Sequence, residues 1–270
     1  MAVDIAIVIP ARFGSSRFPG KPLAKIGDKT MLAHTCDVAL SAARSFKQVA
    51  VIVATEDSRI FEYADTLHGV IPVMTPVSCP TGSDRVLSAL DVLQIEPSVV
   101  INLQGDAPFT PPHVVAQIAQ ALVDFPEYAV ATPAVRLSWS ALHRLRENKK
   151  ITPFSGTTVV MNSRQQALWF SKNIIPAIRH EEKLKLSERF SPVYQHIGLY
   201  AYRLSALRQF VGLPESNYET IEGLEQLRLL ENGLPVRVEV VAYDAYEPIS
   251  GVDTPEDLQR AEKVWLSIQK

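Results

Sequence analysis

A chain of 270 residues with a formal charge of −2 has no global basic field with which to hold nucleic acid or an anionic membrane. It is long enough to bury about three quarters of its unfolded surface without staples, and no apolar stretch approaches the ~18 residues that a spanning helix needs. Its two cysteines, Cys36 and Cys79, lack metal or redox spacing and read as buried thiols of a reducing compartment, so a cytoplasmic protein is expected.

The first element expected is a strand over 5–9, a β-branched run that ends at Pro10. Helices are expected over 31–44, 57–68, 83–93 and 111–125, from apolar residues at helical spacing. The third would be capped by Ser83 or Thr81, and the fourth opens on a proline. Between them the runs 49–54, 70–74 and 99–103 read as strands, the first and last apolar enough to be buried on both faces. This βαβα series predicts a mainly parallel, doubly wound sheet.

The second half is less regular. Strands are expected over 129–135, 157–161, 167–170 and 196–202. The segment 179–189 is dense in charge and reads as a solvated helix or mobile loop. A long helix is expected over 218–231, with Ile221, Leu224, Leu227 and Leu230 three apart. A strand over 236–241 and a helix over 254–268 follow, the helix with Thr254 as N-cap, Pro255 at its first turn and Asp257 two residues further on. One unit with an inserted lobe around 135–215 is the domain organisation expected.

Chemistry is expected where strands end. The loop after the first strand carries Gly14, Ser15, Ser16 and Gly20 with three cations, Arg12, Arg17 and Lys21. It is neither G-x-x-x-x-G-K nor G-x-G-x-x-G. Its prolines Pro10, Pro19 and Pro22 stiffen it, and backbone N–H groups beside fixed cations make a phosphate cradle. Asp106 follows the buried strand 99–103 next to Gly105. It reads as a Mg²⁺ position or as a turn residue before Pro108. Asp253 precedes the last helix and reads as a turn carboxylate, until its pairing with Asp106 makes a site for a metal–triphosphate. The run Thr81-Gly82-Ser83-Asp84-Arg85 could face a base or ribose, although spacing alone favours a helix cap followed by an Asp/Arg pair. His196 is a ligand contact or a structural histidine.

Taken in order, the segments IPARFGSSRFPGKPL, VATED, TGSDRV, INLQGDAP, ALWFSKNIIP, HIGLYAYR, IEGLEQLRLL and GVDTPEDL resemble the 3-deoxy-manno-octulosonate (Kdo) cytidylyltransferases, or CMP-Kdo synthetases. The resemblance runs over nearly the whole chain. It implies a Rossmann-like α/β fold, a mainly parallel sheet with helices on both faces and a smaller inserted sugar-binding and dimerisation lobe. It implies a homodimer whose partners are CTP and an ulosonate sugar, with Mg²⁺ as cofactor. The implied reaction is CTP + Kdo giving CMP-Kdo and pyrophosphate, for lipopolysaccharide or capsule assembly.

Carried over by motif, the resemblance implies that Arg12, Ser15, Arg17 and Lys21 hold the CTP phosphates. Thr81, Gly82 and Arg85 would meet the cytidine, and Asp106 with Asp253 would bind Mg²⁺. Gln104, Lys172, His196, Tyr200, Glu222 and Gln226 would line the acceptor pocket. Of these, Arg12, Arg17, Lys21 and Asp106 would carry catalysis. The chain departs from the family pattern at Ala107, where Glu is common, at Lys172 for Arg, at Thr158 for Lys, and in TGSDR for SGTER. Losing the Arg fork is not conservative. Acceptor identity therefore stays open, with 8-amino-3,8-dideoxy-manno-octulosonate or another acid sugar as the alternative. A non-catalytic nucleotide-sugar binding protein is the alternative of another class.

Overall fold

The computed structural model describes residues 3–14, 18–242, 251–252 and 254–268. In chain order the elements are β1 (Ile5–Pro10), a hairpin of β2 (Lys25–Ile26) and β3 (Lys29–Thr30), α1 (Met31–Ala43), β4 (Val49–Thr55), α2 (Ser58–Asp65), β5 (Ile71–Met74), α3 (Gly82–Leu93), β6 (Val99–Leu103), α4 (Pro112–Asp124) and β7 (Val130–Ser138). Then come α5 (Trp139–Ile151), β8 (Thr157–Met161), β9 (Ala167–Ser171), α6 (Glu181–Ser187), β10 (Phe190–His196), β11 (Leu199–Arg203), α7 (Leu204–Gly212), α8 (Asn217–Glu222), α9 (Leu227–Glu231), β12 (Val236–Val240) and α10 (Pro255–Ile268).

One large sheet runs in the order β5-β4-β1-β6-β11-β7-β10-β8-β9, with β12 beside β7. The strands β5, β4, β1 and β6 are all parallel, as the βαβα pattern requires. From β11 onward the pairing is mostly antiparallel, and β12 returns parallel to β7. Alternation along β1 explains the double covering. Ile5, Ile7 and Ile9 enter one apolar core, with α1 and α4, while Ala6 and Val8 enter the other, with α3 and α7.

Several expectations change. The helix expected over 218–231 is two short helices, α8 and α9. Gly223 adopts φ 62°, a left-handed conformation that ends α8, and it leaves Ile221 on the surface. The strand expected over 196–202 is the end of β10, a turn at Ile197 and Gly198, and the start of β11. The hairpin β2–β3 and the helices α5 and α7 went unread. The charged 179–189 segment contains α6, a helix with no buried residue, which is the first of its two readings, and it is tethered. The Arg146 guanidinium holds the Glu181 carboxylate through two bonds of 2.7 Å, and Trp139 Nε1 donates to the Glu188 carbonyl.

Candidate active site

The residues that the sequence singles out for chemistry, so far as they are described, lie at the carboxyl ends of β1, β6, β9 and β10, at the start of β11, or on the helices beside them. Gly20, at φ 71°, turns the first loop under the Phe13 ring and starts the turn that carries Lys21. The Lys21 ammonium meets Asp106 Oδ2 at 2.8 Å. Gly105 brings the two loops this close, because a Cβ there would fall 2.9 Å from the Pro10 carbonyl. On the far side, Gly251 packs against the Asp106 carboxylate and the Val252 amide donates to the Asp106 carbonyl at 2.9 Å. Ser15, Arg17 and Asp253 lie outside the described residues.

Arg12 is exposed and donates to the Pro80 carbonyl, so it stands beside the loop that leads to Thr81. Thr81 caps α3 in a reciprocal box with Asp84. Gly82 follows, against the Gln104 carboxamide and Pro10. Arg85 lies beneath this loop, buried. It is 1% exposed, with Nη1 2.6 Å from Thr75 Oγ1 and 3.0 Å from Glu56 Oε2. Its partner is therefore Glu56 and not the neighbouring Asp84, which the capping box consumes. Glu56 in turn accepts from the Phe13 amide at 3.2 Å. Arg85 and Glu56 thus brace the first loop from beneath, and Arg85 Nε is buried with no hydrogen-bond partner among the described residues.

A chain of polar groups links this corner to the acceptor side. Gln104 Nε2 donates to Asn102 Oδ1 at 2.9 Å, Asn102 Nδ2 to Ser83 Oγ at 3.3 Å, and Ser83 to Glu225 Oε1 at 3.0 Å. Burial pushes the Glu225 carboxyl above its ordinary value. Tyr200 pairs with Asn102 across the β6–β11 ladder, and its ring lies 5.6 Å from that of His196. His196 Nε2 is 2.9 Å from Thr132 Oγ1, whose own proton goes to the Leu199 carbonyl at 2.8 Å. His196 must then donate from Nε2, which fixes its tautomer. Burial, and next the Lys172 ammonium, push its pKa down to about 3.

The last acceptor residues cluster around Lys172. Glu222 Oε1 accepts from Ser171 Oγ and Oε2 from the Lys172 amide, each at 2.8 Å. Gln226 is buried with Nε2 lacking a hydrogen-bond partner among the described residues, an unspent donor. Thr158 is fully engaged, donating to the Asn173 carbonyl at 2.7 Å and accepting from the Ile175 amide. Sequence reading missed Glu56, Asn102, Thr132 and Glu225. All but Thr132 stand inside segments quoted above, and a polar residue in an apolar strand, Asn102, was the signal available.

The fold that carries these residues is of the α/β class. The cytidylyltransferase family profile matches residues 6–240. The chain is 42% identical to the 3-deoxy-manno-octulosonate cytidylyltransferase of Maricaulis maris, with 97% of each protein covered. It is 37% identical to the 8-amino-3,8-dideoxy-manno-octulosonate cytidylyltransferase of Shewanella loihica, covering 96% of this chain and 98% of that one. A solved structure of CMP:2-keto-3-deoxy-manno-octonic acid synthetase complexed with CTP superposes with a TM-score of 0.81 at 37% identity, covering 98% of this chain and 99% of the other. The chain belongs to the cytidylyltransferase family.

Proposed function

We propose that the protein transfers CMP from CTP to the anomeric hydroxyl of Kdo and releases pyrophosphate. The observation that carries this reading is the Lys21–Asp106 pair at the junction of two glycine-shaped loops, with the Gln104–Asn102–Ser83–Glu225 chain running from the second loop and the Lys172 ammonium acting on His196 on the acceptor side. One end offers cations for phosphates and the other a cation and donors for an acid sugar. Little covalent work falls to the protein, so positioning and charge carry the rate.

In this reading Arg12, Arg17, Ser15 and Lys21 hold the phosphates, Thr81 and Gly82 lie against the nucleoside, and Arg85 sets the first loop from below. Lys172 meets the acceptor carboxylate, and Gln104, His196, Tyr200 and Gln226 orient its hydroxyls. His196 is held neutral, so it presents no charge to the sugar. Mg²⁺ suits the donor set: Asp106 offers a hard carboxylate oxygen beside the Lys21 ammonium, and Mg²⁺ is held by one or two carboxylates plus substrate phosphates rather than by a protein cage. Asp106 and Asp253 would hold it. When bound, the ion supplies charge neutralisation at the α-phosphate and lowers the pKa of the attacking hydroxyl. The same reading carries a homodimer, an acceptor lobe over 135–215, a role in lipopolysaccharide or capsule assembly, and a cytoplasmic location, in keeping with the two buried free thiols. No helix among the described residues is long and apolar enough to cross a membrane.

A second acceptor has an observation of its own. Thr158 stands where the resemblance expects a lysine and is spent on backbone groups. One cation fewer in the pocket lowers the repulsion against an ammonium on the sugar. The test runs CTP and Mg²⁺ with Kdo and with the 8-amino sugar, and measures pyrophosphate. Release with Kdo is expected, and Asp106→Asn should lower kcat/KM at least about 100-fold. Release with the amino sugar alone would move the assignment to that acceptor. CTP binding without release from either sugar would refute transfer to these acceptors.

A further inference from the structure

Lys149 is not among the residues that this chemistry uses, yet its surroundings are the most specific on the acceptor side. It lies in the last turn of α5. Its ammonium has four backbone carbonyls in reach: Ser155 and Lys172 at 2.5 Å, Gly156 at 3.0 Å and Pro153 at 3.3 Å. An ammonium has three protons, so four carbonyls saturate it and leave nothing for a substrate. Burial, and next the neighbouring Lys172 ammonium, push its pKa below the ordinary lysine value, with Glu222 opposing.

Three of those carbonyls belong to the turn that follows α5. The fourth is that of Lys172, whose amide on the other side is held by Glu222 Oε2. Both backbone polar groups of one pocket residue are thus gripped by side chains of opposite charge from different elements. Thr158 does the same for the next turn, holding the Asn173 carbonyl and the Ile175 amide. Each oxygen of Glu222 accepts one of these bonds, from Ser171 Oγ and from the Lys172 amide, so Glu222 grips the chain here.

We propose that Lys149 is a positioning residue for the acceptor: with Glu222 it clamps the Lys172 backbone on both sides and so fixes where the Lys172 ammonium meets the carboxylate of the acid sugar. This inference rests on the acid-sugar reading above. Removing Lys149 leaves four carbonyls converging on a gap, and the 171–175 segment loses one side of its grip. A catalytic constellation tolerates only about 0.5 Å of such drift.

The experiment compares wild type, Lys149→Met, Lys172→Met and the double variant by pyrophosphate release, with KM measured separately for CTP and for Kdo. Lys149→Met should raise KM for the sugar about tenfold and leave KM for CTP within about twofold, and in the Lys172→Met background it should add less than about twofold, since coupled residues are not additive. An unchanged sugar KM, an equal rise in both KM values, or full multiplication of the two single effects would each overturn the inference. Wild type that releases no pyrophosphate with Kdo or its amino form would instead overturn the acid-sugar reading, and this inference with it. If Lys149→Met does not fold, Lys149→Arg carries the same test, because a planar guanidinium keeps the charge but does not match the four-carbonyl cradle.

Discussion

Replacing Gly105 with alanine probes the geometry on which the site depends. The new Cβ would lie 2.9 Å from the Pro10 carbonyl oxygen, 3.7 Å from Ile9 Cγ2 and 3.8 Å from Ala11 Cα, whereas ordinary contact begins at 3.4 Å. Gly105 has no left-handed φ, so the cost is steric alone. The obstructing atom is backbone of the central strand and cannot swing aside. Relief requires the loop that carries Asp106 to retreat from β1 by about 0.5 Å, which is the whole tolerance of a working site. A misplacement of about 1 Å costs on the order of 100-fold in rate, so about half that displacement predicts a loss near tenfold. Overpacking should also cost about 1–3 kcal/mol of stability, which for a chain of this length is a drop of a few degrees or more in Tm. Pyrophosphate release at saturating CTP and thermal denaturation measure the two effects. Wild-type turnover together with wild-type Tm in Gly105→Ala would refute the claim that this glycine sets the Lys21–Asp106 approach.

Three further outcomes are expected. Arg228 grips the buried Glu219 carboxylate at 2.5 and 2.7 Å, so Arg228→Met strands a buried charge and should lower stability by about 3–5 kcal/mol in a denaturant titration; a loss under about 1 kcal/mol would count against a tight pair. His196, held near pKa 3 by burial and then by Lys172, should show ring NMR shifts that do not move between about pH 8 and 5. Because the folded state binds fewer protons than the unfolded chain between pH 6.5 and about 3, stability should fall as pH drops through that window. A ring titration centred near 6.5 would contradict the placement.

What the sequence determined by itself was whatever depends on short-range patterns. The buried parallel strands β1, β4 and β6 are legible as continuous β-branched runs. The caps at Thr81 and Thr254 are legible because capping is decided within four residues. The resemblance, carried by eight short segments, supplied the family. The break between α8 and α9 was harder to read, because the apolar spacing of Leu224 and Leu227 continues through Gly223. Only the tertiary structure decided which of two partners a charged or polar side chain takes. Arg85 turned to Glu56, 29 positions away, rather than to Asp84 beside it. Glu222 and Lys149 closed on the backbone of one residue, Lys172, and Ser83 and Asn102 joined Gln104 to Glu225. Such pairings follow from which elements pack together, and a buried polar group must take whatever partner that packing brings within reach.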